Sequence, residues 1–322
     1  MAGSRHPPGQ DAAGQDAAGQ DGRAWDALAR DPVVRDLLSR CRFPPPDTAV
    51  ACGVSGGPDS LALLILARAA GLQVTAVHVD HGLRPESAGE ASVVAEAAAR
   101  LGAGLKVVRL VLEDGPNLEA RARQARYQAL PAGVLTGHTA DDQAETVLLN
   151  LLRGAGLDGL SGMRPPGPAR PVVPVRPLLG LRRRETATLC ERLGFEAVHD
   201  ASNHDPRFLR NRVRHELLPL LASLSGRDPV PVLCRQAGLM AGEAELLDHL
   251  AAQLDATDAR ALAAAPPALA RRAVRTWLRD GDHPVPAADV ERVLAVARGD
   301  STACEITGGR RVARTAGRLR RS

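Results

Sequence analysis

Four short apolar runs divide the first half of the chain: TAVACGV at residues 48–54, LQVTAVHVD at 72–80, LKVVRLVL at 105–112 and VLTGH at 134–138. Between them the apolar positions recur at helical spacing. This predicts helices after Ser60, from Ser87 to Leu101, from Asn117 to Leu130 and from Ala140 to Arg153. Strands that read as continuous apolar segments are buried on both faces. Their alternation with helices predicts an α/β fold, a doubly wound parallel sheet. Such a sheet gathers its ligands beyond the carboxyl ends of its strands.

The flanking segments read differently. Residues 9–22 repeat GQDAAGQDAAGQDG, too polar and small to bury a face, so residues 1–22 are expected to form a disordered tail. AWDALARDPVVRDLLSRC predicts a helix closed by the prolines at Pro44 to Pro46. After Gly154 the chain is rich in Gly and Pro and reads as a loop with an edge strand, followed by a helix from Arg182 to Leu193. RFLRNRVRHELLPLL predicts a further helix with a basic face. Beyond Ser225 the chain turns into Ala- and Leu-rich helix and ends in a hairpin about Gly308 and Gly309 and a basic tail. The expected domains are 23–224, binding nucleotide, and 225–322, smaller, mainly helical and expected to bind a polyanionic nucleic acid.

Composition narrows the chemistry. The aromatic share is 2%, too low for the stacking platforms of single-strand binders. A formal charge of +4 permits a polyanionic partner, and Lys106 is the single lysine among 41 basic residues. Arginine suits bidentate phosphate contacts. Five scattered cysteines without a CxxC pair point to reduced thiols and a cytoplasmic setting, and away from a zinc or iron–sulfur site. No stretch reads as a membrane span or a signal sequence.

The stretch SGGPDS, Ser55 to Ser60, lies where a strand gives way to a helix, the setting in which backbone N–H groups bind anions. Gly56 and Gly57 allow close backbone approach, Pro58 opens the helix, and Ser55 and Ser60 add hydroxyl donors. Asp59 would repel bare phosphate, so its useful role is through Mg²⁺. The competing reading is a turn whose Ser or Asp caps the helix. No lysine of the GxxxxGK[ST] kind is present. The stretch resembles the SGGxDS loop of the ATP pyrophosphatase superfamily, whose members cleave ATP between the α and β phosphates. The resemblance implies a loop that holds departing pyrophosphate.

Four further segments select among that superfamily's chemistries: HVDHGLRPES from His78, NLEARARQARYQAL with Arg123 and Arg126, GHTADDQAET with His138, Asp141, Asp142 and Glu145, and RNRVRHELLP with Arg210, Arg212 and Arg214. Each has a bland reading: helix-dipole carboxylates, a surface ion pair from Arg123 to Glu119, a solvated charge run, a strand end. No bland reading explains all of them together. In order and spacing they resemble the tRNA(Ile)-lysidine synthetase family over about Val50 to Leu220.

The resemblance implies a ligase that uses ATP and Mg²⁺ to join free L-lysine to C2 of the wobble cytidine of CAU-anticodon tRNA(Ile), through an adenylated base. It implies ATP binding by Ser55, Gly56, Gly57, Pro58, Asp59, Ser60, His78 and His138, with Mg²⁺ at Asp59. It implies catalytic roles for Asp59, Arg123, Arg126, Asp142 and Arg212, and lysine binding by Asp141, Asp142 or Glu145. Arg210, Arg212 and Arg214 are the expected tRNA contacts, the 225–322 domain is expected to hold the tRNA body, and a homodimer is among the assemblies it allows. Two positions depart from the family pattern: Gly137 replaces the first of a His-His pair, and His199 replaces an acidic residue. The alternatives are a PP-loop tRNA 2-thiolation enzyme, which generally needs paired cysteines, and a non-enzymatic nucleotide-dependent RNA-binding protein.

Overall fold

Parallel pairing of the four apolar runs builds the central sheet, in the order β3-β2-β1-β4. The computed structural model describes residues 28–80, 87–110, 125, 129–164, 174–198, 205–279 and 285–322. β1 (Ala49–Gly53) pairs with β2 (Gln73–Asp80) from Ala49 opposite Gln73 to Gly53 opposite Val77. β2 continues to β3 (Gly104–Arg109), and β4 (Leu135–Thr136) lies on the other side of β1. The predicted edge strand is a single bridge, Val175 to Leu135. The chain leaves β1 toward β2 and returns on the opposite side as β4, so the strand order reverses between β1 and β4. A crevice at that reversal is where a doubly wound sheet holds its ligand.

Helix α1 (Pro32–Ser39) starts on Asp31, which accepts from the amides of Val33 at 2.8 Å and Val34 at 3.3 Å, with Pro32 already set for the first turn. Helix α2 (Pro58–Ala69) is apolar all round, and Leu61 to Ala67 have no exposed surface. A helix of that kind belongs inside a domain. Here it joins α1, α3 (Ser87–Arg100), Leu178, Leu181 and α6 (Arg183–Arg192) in one core with β1 and β2. Helix α4 (Ala140–Leu152) contributes Ala144 and Leu148 to another cluster with Val213, Leu218 and Val230.

The described residues divide into two compact units, one holding residues up to 149 and 174–234, the other 150–164 and those from 235 onward. The second unit holds a short helix α5 (Leu157–Leu160), most of helix α9 (Pro229–Ala252), α10 (Ala259–Ala264), α11 (Pro267–Leu278), α12 (Ala287–Arg298) and an antiparallel sheet. Val274, Val293 and Val312, all without exposed surface, centre its core. Asp158 and Asp248 are both bridged by Arg272, and Arg164 reaches Asp248 at 2.9 Å, so residues 158–164 are tied to α9 and α11.

The expected hairpin is present as β5 (Ala303–Ile306) and β6 (Arg310–Thr315). The run read as a basic tail is instead a third strand, β7 (Arg318–Arg321), with Leu319 buried. Alternation explains the difference: Leu319 faces the core while Arg318 and Arg320 face out, a strand pattern that a high arginine content obscures. Arg314 donates to Ala297 O at 3.1 Å and Arg321 to Trp277 O at 2.9 Å, placing guanidiniums at the carboxyl ends of α12 and α11. Among the described residues no helix is long and apolar enough to cross a membrane.

Candidate active site

The strand reversal puts two connections side by side, residues 54–57 after β1 and residues 137–139 after β4. In the first, the Ser60 hydroxyl accepts from Ser55 N at 3.1 Å and donates to Gly57 O at 2.9 Å, closing the loop on itself. Gly56 has φ +86°, the left-handed region, and a Cβ there would lie 3.0 Å from a methyl of Val198. The N-cap position of α2 is Gly57, so no side chain caps that end.

Gly137 is constrained still more tightly. A Cβ there would lie 2.5 Å from the carbonyl oxygen of Asp59 and 3.0 Å from the amide nitrogen of Ser60. No side chain fits there, because the second connection packs directly on the first turn of α2. His138, the next residue, has Nδ1 2.9 Å from Thr136 Oγ1.

The second connection opens α4 with one half of a capping box. Asp142 accepts from Thr139 N at 2.9 Å and from Thr139 Oγ1 at 3.0 Å, both bonds running from Thr139 to the same carboxylate oxygen. Its other oxygen accepts from Arg183 Nη2 at 2.9 Å. Arg183, at the start of α6, also donates Nη1 to Glu145 at 3.1 Å and lies 3.4 Å from Asp59 through Nε. One guanidinium thus touches the carboxylate of the glycine-rich loop and two carboxylates of α4.

Arg182 forks onto Asp141, with Nε at 3.0 Å and Nη2 at 2.9 Å, and also bonds Asp228. Arg210 Nε and Arg214 Nε each reach Glu145 at 2.7 Å, and the Glu145 side chain has no exposed surface. These two come from a helix that changes form: α7 (Leu209–Arg212), a π-helical turn (Val213–Leu217) and α8 (Leu218–Ser225). Arg212 points away, with its side chain 55% exposed and paired only to Glu216 among the partners seen. The predicted basic face is therefore split: Arg210 and Arg214 are turned onto α4, while Arg207 and Arg212 are presented to solvent. π-turns of this kind recur where a helix serves a site.

The electrostatics follow from burial and from the arginines. Burial is the largest influence on Asp59 and pushes its carboxyl up to about 6 against the opposing pull of Thr186 and Arg183. Burial also raises Asp141 and Asp142, but Arg182 and Arg183 for the first, and Arg183 and Arg210 for the second, outweigh it, and both end below the usual carboxylate range. Arg183 is raised because its three carboxylate partners overcome desolvation. Five carboxylates (Asp59, Asp141, Asp142, Glu145, Asp228) meet four guanidiniums (Arg182, Arg183, Arg210, Arg214), one negative charge in excess. Beside them lies a cavity of about 220 Å³ lined by Asp141, Glu145, Arg182, Arg183, Arg214 and Asp228 and by the apolar Leu218, Ala222 and Val230.

His78 is buried at the end of β2, with Nδ1 2.9 Å from Val54 O, just before the loop. Arg123, Arg126 and His199 lie outside the described residues. Sequence reading missed Arg182, Arg183 and Thr186. Their signal is GLRRRET, three arginines and an acid at a helix start, which local spacing does not distinguish from a solvated helix opening.

A parallel sheet reversing at a glycine-rich loop, with a partly buried aspartate in the first turn of α2, defines a PP-loop nucleotide-binding enzyme. Residues 33–221 match the PP-loop domain family, and residues 258–320 match the TilS substrate binding domain. A tRNA(Ile)-lysidine synthase of Nocardia farcinica is 44% identical over 251 residues, covering 74% of this chain and 78% of the relative. One of Mycolicibacterium paratuberculosis is 47% identical over 240 residues, covering 71% and 73%. The chain belongs to the tRNA(Ile)-lysidine synthase family. Among solved structures, the U34-tRNA thiolase NcsA of Methanococcus maripaludis aligns with a TM-score of 0.50 at 17% identity, over 69% of this chain and 79% of that one, a likeness of fold.

Proposed function

We propose that the site activates the wobble cytidine of CAU-anticodon tRNA(Ile) with ATP and then joins free L-lysine to it. The observation that carries this reading is the reach of Arg183 from Asp59 to Asp142 and Glu145, which makes the nucleotide loop and the acidic helix parts of one site. The C2 oxygen of the cytidine attacks the α-phosphorus and pyrophosphate leaves. The lysine ε-amine then adds at C2, loses a proton and expels AMP.

Ser55, Gly56, Gly57 and Ser60, with the N-terminus of α2, offer donors to the phosphates. A partly buried carboxylate in the first turn after the loop fits a Mg²⁺ shared with phosphate oxygens, and Asp59 would hold it, screening charge on the departing pyrophosphate. Arg183 keeps Asp59 and Asp142 from repelling one another until substrate arrives. The cavity beside Asp141 suits lysine: carboxylates for ammonium groups, Arg182 and Arg214 for the α-carboxylate, and an apolar wall for the stem. The cavity wall balances three carboxylates against three guanidiniums, and the wider cluster around it carries one negative charge in excess, which matches the net charge of free lysine. Of the three carboxylates of α4, Asp141 is the one with most exposed surface, while Glu145 is enclosed by arginines, so Asp141 is assigned to lysine and Glu145 to holding Arg183, Arg210 and Arg214 in place.

Exposed Arg212, and Arg311 and Arg320 on the outer face of the C-terminal sheet, supply phosphate contacts for tRNA. Such a reaction belongs in the cytoplasm. Thiolation is disfavoured by the thiols themselves: burial pushes Cys41, Cys52 and Cys190 up to about 12 and Cys234 up to about 11, far from nucleophilic thiolates. The deciding experiment supplies CAU-anticodon tRNA(Ile), ATP, Mg²⁺ and labelled lysine, then analyses nucleosides. Label in a modified cytidine is expected. Pyrophosphate release without label would reassign the acceptor.

A further inference from the structure

His78 carries chemistry that the site description leaves unused. It is 2% exposed, follows Val74 and Ala76 on the sheet face that α2 and α3 cover, and stands at the carboxyl end of β2. Its Nδ1 lies 2.9 Å from Val54 O, and Val54 N in turn donates to Val77 O at 3.0 Å. A carbonyl oxygen only accepts, so Nδ1 carries the hydrogen. In the neutral ring Nε2 is then left with a lone pair and no hydrogen. That atom is buried and has no hydrogen-bond partner among the described residues. A buried acceptor without a donor is uncommon in a folded protein and calls for an explanation.

The position of the ring says what donor to look for. Val54 is the residue immediately before Ser55, so the imidazole is fastened to the base of the phosphate loop. In doubly wound sheets the phosphates sit at the first strand-to-helix turn, and the sugar lies over the end of the neighbouring strand, where an acceptor meets a ribose hydroxyl. Here β2 is that neighbour and His78 ends its buried face. Phosphate oxygens at neutral pH have no hydrogen to give. The donors of ATP are its 6-amino group and its two ribose hydroxyls, and of these the hydroxyls lie next to the phosphates.

Resting on the nucleotide reading above, we propose that His78 is a ribose-reading residue: Nε2 accepts a hydrogen bond from a ribose hydroxyl of ATP, while Nδ1 fixes the ring to Val54. The specificity that follows is for a ribonucleotide over its deoxy form. A site that leaves a buried acceptor unpaired rejects the analogue lacking the donor.

The test measures dissociation constants of ATP, 2′-deoxy-ATP, 3′-deoxy-ATP and purine riboside triphosphate with Mg²⁺, for the full chain and two variants, with tRNA-dependent AMP release recorded alongside. His78→Asn keeps a donor for Val54 and removes the distal acceptor. His78→Gln keeps a distal acceptor and gives up the Val54 bond. The unaltered protein is expected to bind one deoxynucleotide roughly tenfold to a hundredfold more weakly than ATP. His78→Asn should weaken ATP to the level of that analogue and leave the analogue unchanged, so their ratio falls to about one. His78→Gln should retain part of the ratio.

Equal binding of ATP and both deoxynucleotides by the unaltered protein overturns the proposal. So does uniform weakening of every nucleotide by His78→Asn, which would mark a purely structural histidine. A change confined to purine riboside triphosphate, which lacks the 6-amino group, would move the contact to the base and equally overturn it. Failure of the unaltered protein to bind ATP at all would instead defeat the nucleotide reading.

Discussion

Arg183 Nε stands 3.4 Å from Asp59 Oδ2, across 124 residues of chain, while the rest of the same guanidinium is held by Asp142 and Glu145. Removing that group leaves three carboxylates, two of them nearly or wholly buried, with less compensation. Arg183→Met is therefore expected to lower unfolding free energy at neutral pH by about 2–4 kcal/mol, read from urea melts. It should also slow AMP release at least a hundredfold in protein that remains folded. Arg183→Lys should recover little, because an ammonium cannot reach three carboxylates as a planar fork does. Full activity of the lysine variant would show that charge alone suffices.

Asp59 gives a pH dependence with a defined sign. Burial raises its carboxyl from the usual 3.8 to about 6 in the folded protein. Between those values the native state binds more protons than the unfolded one. The contribution of Asp59 to stability is thus fully present below about pH 4 and is lost as pH rises through about 6. Asp59→Asn, which cannot ionise, should be more stable than the unaltered protein at pH 7.5 by roughly 1–2 kcal/mol, and equal to it near pH 4. Mg·ATP affinity should weaken as pH falls through 6, and the Asn variant should bind weakly at every pH. An Asn variant less stable than the unaltered protein at pH 7.5 would mean that the pairing with Arg183 and Thr186 outweighs the burial.

Gly137 is predicted to tolerate no side chain. The clash of a Cβ is with the backbone of Asp59, 2.5 Å away, and neither α2 nor the loop can yield without disturbing the phosphate site. Gly137→Ala should cost about 1–3 kcal/mol and raise the KM for ATP more than that for lysine. Gly137→His, which adds a larger side chain at the same close approach, should be worse than Ala. A histidine variant with normal kinetics would show that the two connections separate readily.

The sheet, its parallel order and the two site-bearing connections were legible because buried parallel strands leave unbroken apolar runs, as in TAVACGV and LQVTAVHVD. The loop and the acidic turn were legible because their residue types are costly anywhere else. Arg183 was not, since its role depends on tertiary meeting: nothing local in LRRRET says that the third residue reaches Asp59, Asp142 and Glu145. Likewise a charge run gives no indication of which arginine turns inward. The π-turn after Arg212 decides that, and it has no period in the sequence. Strand β7 was hidden for a related reason, because RLRR offers only Leu319 as an apolar signal.

The cavity lined by Asp141 and Asp228 leads to a separable kinetic effect. Arg182 binds both carboxylates, and Asp141 also takes the backbone amide of Arg183 at 2.8 Å. If the cavity holds lysine, Asp141→Asn should raise the KM for lysine at least tenfold while leaving ATP-dependent pyrophosphate release on tRNA within a few-fold of normal. Asp228→Asn, at a more exposed wall, should have the same direction and smaller size. A variant impaired in pyrophosphate release but not in lysine KM would place Asp141 with the first half-reaction instead.

Arg210 and Arg212 are two residues apart and should behave as different kinds of residue. Arg210 bonds Glu145 at 2.7 Å and approaches Asp142 at 3.3 Å, with only part of its side chain exposed. Arg210→Ala strips compensation from a buried carboxylate and is expected to reduce stability by about 2–3 kcal/mol and activity with it. Arg212 is exposed and meets only a surface glutamate at 3.2 Å, so Arg212→Ala should change stability by less than about 0.5 kcal/mol. Its effect should fall on tRNA: weaker binding, and a salt dependence of log Kd shallower by about one unit, the signature of a lost phosphate contact. Urea melts and tRNA titrations at three salt concentrations separate the two cases. An Arg212 variant with an unchanged salt slope would remove it from the tRNA path and leave the arginines of the C-terminal sheet to supply the phosphate contacts.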